Sequence, residues 1–377
     1  MLIAALCAVA CVYPFDADIE SVSGNLVIEG DIFLGDVSYF NISRVVGLND
    51  EVKASSIEGE VYVEASDGTK YESDGVLGDM GYAVSLINAD PNLEYRLVVK
   101  VDGKEYVSSW GTASGNCIID DLNWVIDKDL GILRLQMSLH SEDGSRHFRY
   151  RYSEVWEYHS YFQATCYYVT PDSDHKNGQL INYPYGENIY YCWKREGSRG
   201  INLATTEQMT EDRLVDYPFR YISGSDDRLS ILYRITLDVY PVSEDSYMFY
   251  ENLKSVSTVT GNLFSPIPNA MRGNIRCSGA DDEMVYGYVA VVKPQTKTLY
   301  VECKGEVYEL YQKAWRNPGY EKEEVDENNW LGYYRMGYLP VSYQPMMGSF
   351  WARSGCVDCR KAGGTKDRPA DWPNKHY

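Results

Sequence analysis

Two cysteines three positions apart, Cys356 and Cys359 in "GCVDCRKAGG", have the spacing of half a zinc site. A structural zinc needs four ligands, and neither a second CxxC nor a close His pair completes this one. The five histidines, His140, His147, His159, His175 and His376, contain no HExxH or comparable ligand spacing. "PDSDHKNG", residues 171–178, sets Asp172, Asp174 and Asn177 ahead of Gly178 in the manner of a calcium loop. It misses the EF-hand spacing by one residue and no Glu closes it at the twelfth position. It reads as a solvated turn, as do "GSDD" (224–227) and "GADDE" (279–283). There is no GxSxG elbow, P-loop or dinucleotide fingerprint. No metal and no cofactor are expected, and the chain is not expected to be an enzyme. A surface hydrolase would need carboxylates that converge from distant strands without leaving a motif.

Binding chemistry has a stronger candidate. In "HFRYRYSEVWEY", Arg149, Arg151, Trp156 and Tyr158 combine cations with aromatic faces that can stack sugars or peptide side chains. The plainer reading, which we prefer, is an outward sheet face covered by the C-terminal region. The 34 tyrosines fit half-buried strands first and a contact surface second. A net charge of −20 excludes a nucleic-acid partner, which requires a basic footprint, and equally excludes charge-driven adhesion to anionic lipid.

Membrane attachment therefore needs another device, and Cys11 supplies one. "LIAALCAVA" has the length of a signal-peptide core, and the small Ala8 and Ala10 stand just before Cys11, as in a bacterial lipobox. No Lys or Arg stands between Met1 and this run. Beyond Cys11 the chain turns acidic at Asp16, Asp18 and Glu20, so it does not continue as a buried strand. Acylation of Cys11 is expected, with residues 1–10 removed and 11–24 left as a linker. Seven cysteines then remain, an odd number, so at least one lacks an intrachain partner. Cys277 and Cys303 flank "GYVAVV" and are placed to face one another across neighbouring strands. A Cys356–Cys359 bridge would close a trivial loop. A tether from Cys356 or Cys359 to Cys166 or Cys192 removes more unfolded-state entropy and is expected instead.

The elements that must position these residues read as strands. Val61, Val63 and Ala65 alternate with Glu60, Tyr62 and Glu64 before Asp67-Gly68, and Tyr95, Leu97, Val99 and Val101 share a face before Asp102-Gly103. Both pairs suit type I′ hairpin turns. This predicts an all-β chain with an immunoglobulin-like or transthyretin-like sandwich over residues 25–112. "GTASGNCIIDD" (111–121) marks a boundary, and 122–377 forms a second, larger β-rich domain. One helix is expected within it, 244–256, with Ser243 as N-cap and Val242 and Tyr247 as a hydrophobic staple. Residues 315–377, rich in Gly, Pro and aromatics, are expected to be irregular. No stretch after residue 20 stays apolar for the ~18 residues of a spanning helix.

Five segments then coincide with a known family. "CVYPFDADIE…NLVIEG", "CWKREGSRGINL", "YPVSEDSYMFYENLK", "GNIRCSGADDEMVYGYVAV" and "CVDCRKAGGTKDRPADWP" occur in order from Cys11 almost to the end. The chain resembles the Bacteroidota outer-membrane lipoproteins that carry domain of unknown function 4249. The resemblance implies a surface-exposed lipoprotein of the outer membrane, often encoded beside a TonB-dependent receptor, and transfers a role to Cys11 alone. The expected function is ligand capture or capping as an accessory to a TonB-dependent transporter. A free-standing adhesin or glycan-binding lipoprotein is the alternative.

Overall fold

An inward-facing row of Val61, Val63 and Ala65 needs a partner strand with the same phase, and Leu97 and Val99 provide it. The computed structural model describes residues 24–45, 57–78, 81–259, 273–280, 282–315, 321–344 and 348–373. The expected signal segment, Cys11 and the expected linker up to residue 23 lie outside them. Two compact units emerge, one of residues 1–113 and 248–292, the other of 114–247 and 293–377.

The first unit begins with β1 (Leu26–Glu29), β2 (Ile32–Phe33), β3 (Val37–Arg44), β4 (Glu60–Ala65), β5 (Lys70–Val76), β6 (Tyr82–Ser85), β7 (Tyr95–Val101) and β8 (Lys104–Ser108). The β7–β8 turn is type I′, with φ of 51° at Asp102 and 74° at Gly103. The β4–β5 turn differs from the expectation. Only Gly68 has positive φ, and Ala65 both donates to the Thr69 carbonyl and accepts from Gly68 N–H. That is a type I turn followed by a left-handed glycine, which adds one residue to the loop.

The second unit follows with β9 (Cys117–Asp127), β10 (Ile132–Ser141), β11 (His147–His159), β12 (Cys166–Val169), β13 (Gln179–Asn182), β14 (Tyr191–Gly197), β15 (Leu203–Thr205), β16 (Arg213–Ser223) and β17 (Leu232–Pro241). Next comes α1 (Glu244–Val259), longer than expected by three residues. The Ser243 hydroxyl accepts Ser246 N–H at 3.3 Å, and Val242 and Tyr247 are both buried.

From Met248 the chain belongs to the first unit again, which corrects the assignment of 122–377 to one domain. Three short strands, β18 (Ile275–Cys277), β19 (Val285–Tyr286) and β20 (Val291–Val292), return there. β18 joins β8 at one end of a nine-stranded sheet, and β19 joins β1 in parallel at the other. The end strands approach each other, so the sheet curls over one core that runs from Leu26 and Ile28 to Ile275 and Val285. Strands this short carry too few alternating positions to announce partners as remote in sequence as Tyr106 is from Cys277 or Leu26 from Val285. Sequence periodicity could not have found them.

The chain then completes the second unit with β21 (Gln295–Glu302), α2 (Glu306–Trp315), β22 (Glu323–Val325), α3 (Trp330–Arg335), β23 (Tyr338–Gln344), β24 (Gly348–Arg353) and α4 (Ser354–Val357). Sheet β16-β10-β9 faces sheet β14-β11-β17-β21 across a core of Leu133, Leu135, Met137, Tyr233, Ile235 and Leu237 among others. Val307, Leu310 and Tyr311, spaced for one helix face, place α2 in the same core. The segment expected to be irregular carries the sheet β22-β24-β23 instead. There the Ser349 hydroxyl accepts the indole N–H of Trp330 (2.8 Å) and of Trp351 (2.9 Å) and donates to the Val325 carbonyl (2.7 Å). One small polar group thus satisfies two buried tryptophans, which lets an aromatic-rich stretch fold. The fold is all-β, with short helices at its margins.

Candidate recognition surface

Strand β11 separates the four candidate ligand residues by parity. Trp156 and Tyr158 face inward, 4% and 3% exposed, in the core between the two sheets. Arg149 and Arg151 face the other way. The Arg151 guanidinium binds Asp238 across the pair at 2.9 Å, and Arg149 lies 5.8 Å from the Tyr240 ring. The four therefore do not meet on one platform, because neighbours at odd and even positions of a strand point to opposite faces.

The same parity buries a carboxylate. Glu154, 2% exposed, accepts from Arg220 Nε (3.0 Å), Arg228 Nε and Nη2 (3.2 Å each) and Tyr233 OH (2.6 Å). Arg228 also binds both oxygens of Asp226, reaches Glu196, and stacks its guanidinium 4.1 Å from the Trp156 ring. The Trp156 indole and Lys194 ammonium share Asp227, at 2.9 and 2.6 Å. Burial opposes the charge on Arg228, but Glu154 and Asp226 outweigh it and raise its pKa. Burial, then Glu154, pushes the Tyr233 phenol far up. Two arginines and a phenol occupy the Glu154 carboxylate, so the cluster holds the 224–229 turn on the sheet rather than offering a base to a substrate. Sequence reading missed it, although a Glu in phase with Phe148, Tyr150 and Trp156 was the available signal.

The acidic turns are likewise internally satisfied. Asp172 Oδ1 accepts the N–H of Asp174 (2.9 Å) and of His175 (2.7 Å), and the His175 backbone bond leads the effects that hold its pKa low. Asp226 caps the short helical turn after it by accepting Arg228 N–H at 2.9 Å. Glu283 accepts from Lys104 and Tyr106, each at 2.5 Å. Among the described residues no group of three or more His, Cys, Asp or Glu is arranged to hold a metal.

Cys192 is bonded to Cys359, with Cα atoms 5.7 Å apart and a sequence separation of 167, one of the pairings the sequence left open. Cys166 and Cys356 are unbonded and buried. Cys277 and Cys303 do not meet as expected. Cys277 pairs with Tyr106 in the first unit, whereas Cys303 packs on the core of the second, and both are thiols. Behind the disulfide, residues 359–372 run as a strap along β11 and β14. Thr365 bridges to Trp193, and Gly364 lies so close that a Cβ would meet Tyr158 OH at 2.4 Å and Cys192 Cβ at 2.6 Å.

Exposed aromatics gather around the β12–β13 hairpin. Tyr167 and Ile181 oppose each other on its outer side, and the Tyr183 ring lies 5.3 Å from Tyr167. Tyr185 is fully exposed at the tip of a turn in which Glu187 N–H bonds the Pro184 carbonyl and Gly186 adopts a φ of 87°. On the inner side, Tyr168 packs on Trp330, Tyr334 and Trp351, which carries the exposed Tyr334, Met336 and Tyr343 of the same region. A packed aromatic layer thus lies beneath these exposed side chains, and exposed aromatics suit contact with a partner.

No curated protein matches the chain. Among solved structures it is similar, at 9% identity, to a biofilm associated protein B domain, over 82% of this chain and 92% of that one with a TM-score of 0.14. It is also similar, at 7% identity, to a biofilm associated protein BSP domain, over 78% of this chain and 60% of that one with a TM-score of 0.17. Both scores are below those of a shared fold. A family model described as domain of unknown function (DUF4249) matches residues 12–298. By that match, which spans most of its length, the chain belongs to the DUF4249 family.

Proposed function

We propose that the protein is an outer-membrane lipoprotein of Bacteroidota type, anchored through acylated Cys11 on the cell surface, that serves a TonB-dependent transporter as a non-enzymatic accessory. The observation that carries this reading is the number of exposed aromatic and apolar side chains that the second unit presents, Tyr167 and Ile181 on the outer side of the β12–β13 hairpin, Tyr185 at the turn that follows it, and Tyr334 and Met336 at α3. Tyrosines on a stiff support bury much area at little entropic cost and dominate stable interfaces. No helix of the described residues is long and apolar enough to cross a membrane. On this reading, ligand captured here passes to the transporter. The contact is assigned to the second unit, seated on the extracellular face of the barrel, with a total buried area above ~1,000 Å².

The test is affinity purification of a tagged copy from native membranes in mild detergent. A TonB-dependent receptor should co-purify in near-equal amount. Recovery of the lipoprotein alone, from cells expressing the neighbouring receptor, overturns the proposal. Exposed rings also stack sugars, so retention of that lone protein on a glycan array would establish the adhesin reading in its place.

A further inference from the structure

On the strap, the half-buried Lys366 places its side-chain nitrogen 3.3 Å from Asn188 Oδ1 and 2.6 Å from the Tyr191 carbonyl oxygen. Asn188 is itself held. Its carboxamide oxygen accepts the backbone N–H of Tyr190 at 3.0 Å and of Tyr191 at 3.1 Å. These two donors settle which end of the carboxamide is oxygen and leave Nδ2 as the group able to depart. Paired N–H groups on a carbonyl oxygen are also the arrangement that stabilises an oxyanion. The electrophilic Cγ is one carbonyl bond, ~1.23 Å, from that oxygen, so a small shift of the Lys366 side chain off its hydrogen bond would bring nitrogen and carbon together.

The surroundings weaken the charged form of the amine. Burial, then the Arg360 guanidinium, lowers the Lys366 pKa against the opposing charges of Asp358 and Glu157. Asp358 is engaged by Arg360 through two bonds, at 2.9 and 2.8 Å. Glu157, 1% exposed beneath the Trp372 indole, is the other carboxylate whose charge acts on Lys366, and it is the more shielded one.

We propose that Lys366 and Asn188 join in an intramolecular amide bond that locks the strap to the β13–β14 connection. The neutral Lys366 nitrogen attacks Asn188 Cγ, and the oxyanion forms on Oδ1 against the Tyr190 and Tyr191 N–H groups. Glu157 takes the proton released by the attacking nitrogen and returns it to Nδ2 as the Cγ–Nδ2 bond breaks. One ammonia leaves for each amide formed, and nothing is oxidised or reduced. The bond would cross 178 residues of sequence and, unlike Cys192–Cys359, would survive reduction.

The full chain, purified, reduced and digested with trypsin, tests this by peptide mass. The expected product is a branched peptide, uncut after Lys366 and joined to the Asn188 peptide, one ammonia lighter than the two together. Lys366→Arg should yield only linear peptides. Glu157→Gln should do the same in protein that still forms Cys192–Cys359. Complete recovery of linear Lys366 and intact Asn188 peptides from wild-type protein, fresh or stored for days, overturns the proposal whatever the variants do. A branch that persists in Glu157→Gln overturns the role of Glu157.

Discussion

The Trp372 indole donates to the Glu157 carboxylate at 2.7 Å across 215 residues of sequence, and both partners are buried. A carboxylate so far from water needs donors, and β11 cannot provide them from its own backbone. The last described turn of the chain therefore completes the second unit. Trp193 and Leu232 pack beside Trp372, while Arg234 binds Asp371 at 2.5 Å and lies 5.4 Å from the Trp372 ring.

Trp372→Phe keeps the ring and removes the donor. The expected loss is about 1–3 kcal/mol, the cost of a buried polar group deprived of one bond. Urea unfolding should record it, and trypsin should cut the strap after the exposed Lys361 sooner in the native variant than in native wild type. An unchanged midpoint would mean that the Trp372–Glu157 bond contributes nothing.

Cys359→Ser opens a loop spanning 167 residues. Chain-entropy arguments set a ceiling near ~5 kcal/mol for so long a loop, and about 2–4 kcal/mol is the usual yield. The thermal transition of the second unit should fall in this variant, and reductant should lower the wild type in the same way. The transition of the first unit should not move.

Much of this was legible and some was not, for separable reasons. Period-two alternation in β4, β7, β10 and β17 marked the strands because each has one wet and one buried face. The helix at 244 was legible from Ser243, Glu244 and Asp245. β18, β19 and β20 were not, since two or three residues show no period. Arg149 and Trp156 looked like neighbours only because a string ignores that seven steps along a strand, an odd number, change face. Glu154, the buried acid, was visible in phase but had no partner within its own segment: Arg220, Arg228 and Tyr233 come from elsewhere.

Glu283 makes the first unit sensitive to acid. Hydrogen bonds from Lys104, then Tyr106, hold its folded pKa below the ordinary carboxylate value. A depressed folded pKa contributes stability above the unfolded value, and that contribution disappears as pH falls through the folded one. Glu283→Gln should therefore destabilise the first unit at neutral pH by up to about 1 kcal/mol, as befits a partly exposed pair. The difference should vanish at a pH below the folded pKa, as denaturation at several pH values can show. A constant difference across that range would remove Glu283 as the cause.

Cys11 lies outside the described residues, and the small Ala8 and Ala10 before it motivate its acylation. Cys11→Ala should leave the protein unprocessed or move it from the membrane fraction to the soluble one. Several acyl chains anchor firmly where one is marginal, so the change should be nearly complete. An unmodified Cys11 peptide from mature membrane-bound protein would end the anchor hypothesis.

Tyr185 separates recognition from folding. Its ring is fully exposed, at a turn whose geometry depends on Pro184, Gly186 and the Glu187 N–H. Tyr185→Ala should shift stability by no more than ~0.5 kcal/mol, as expected for a side chain with little to lose on the surface. Tyr167 is partly packed on Tyr183, so Tyr167→Ala should cost somewhat more. If the β12–β13 hairpin contacts the transporter, the double variant should recover at least tenfold less barrel, since two central aromatic anchors are each worth over about 1 kcal/mol. Arg149→Ala, on the opposite face of β11 from the core, serves as control and should leave recovery unchanged. A double variant that recovers the barrel as wild type does would take the interface away from this hairpin, and loss with Arg149→Ala alone would move it to the β11 face.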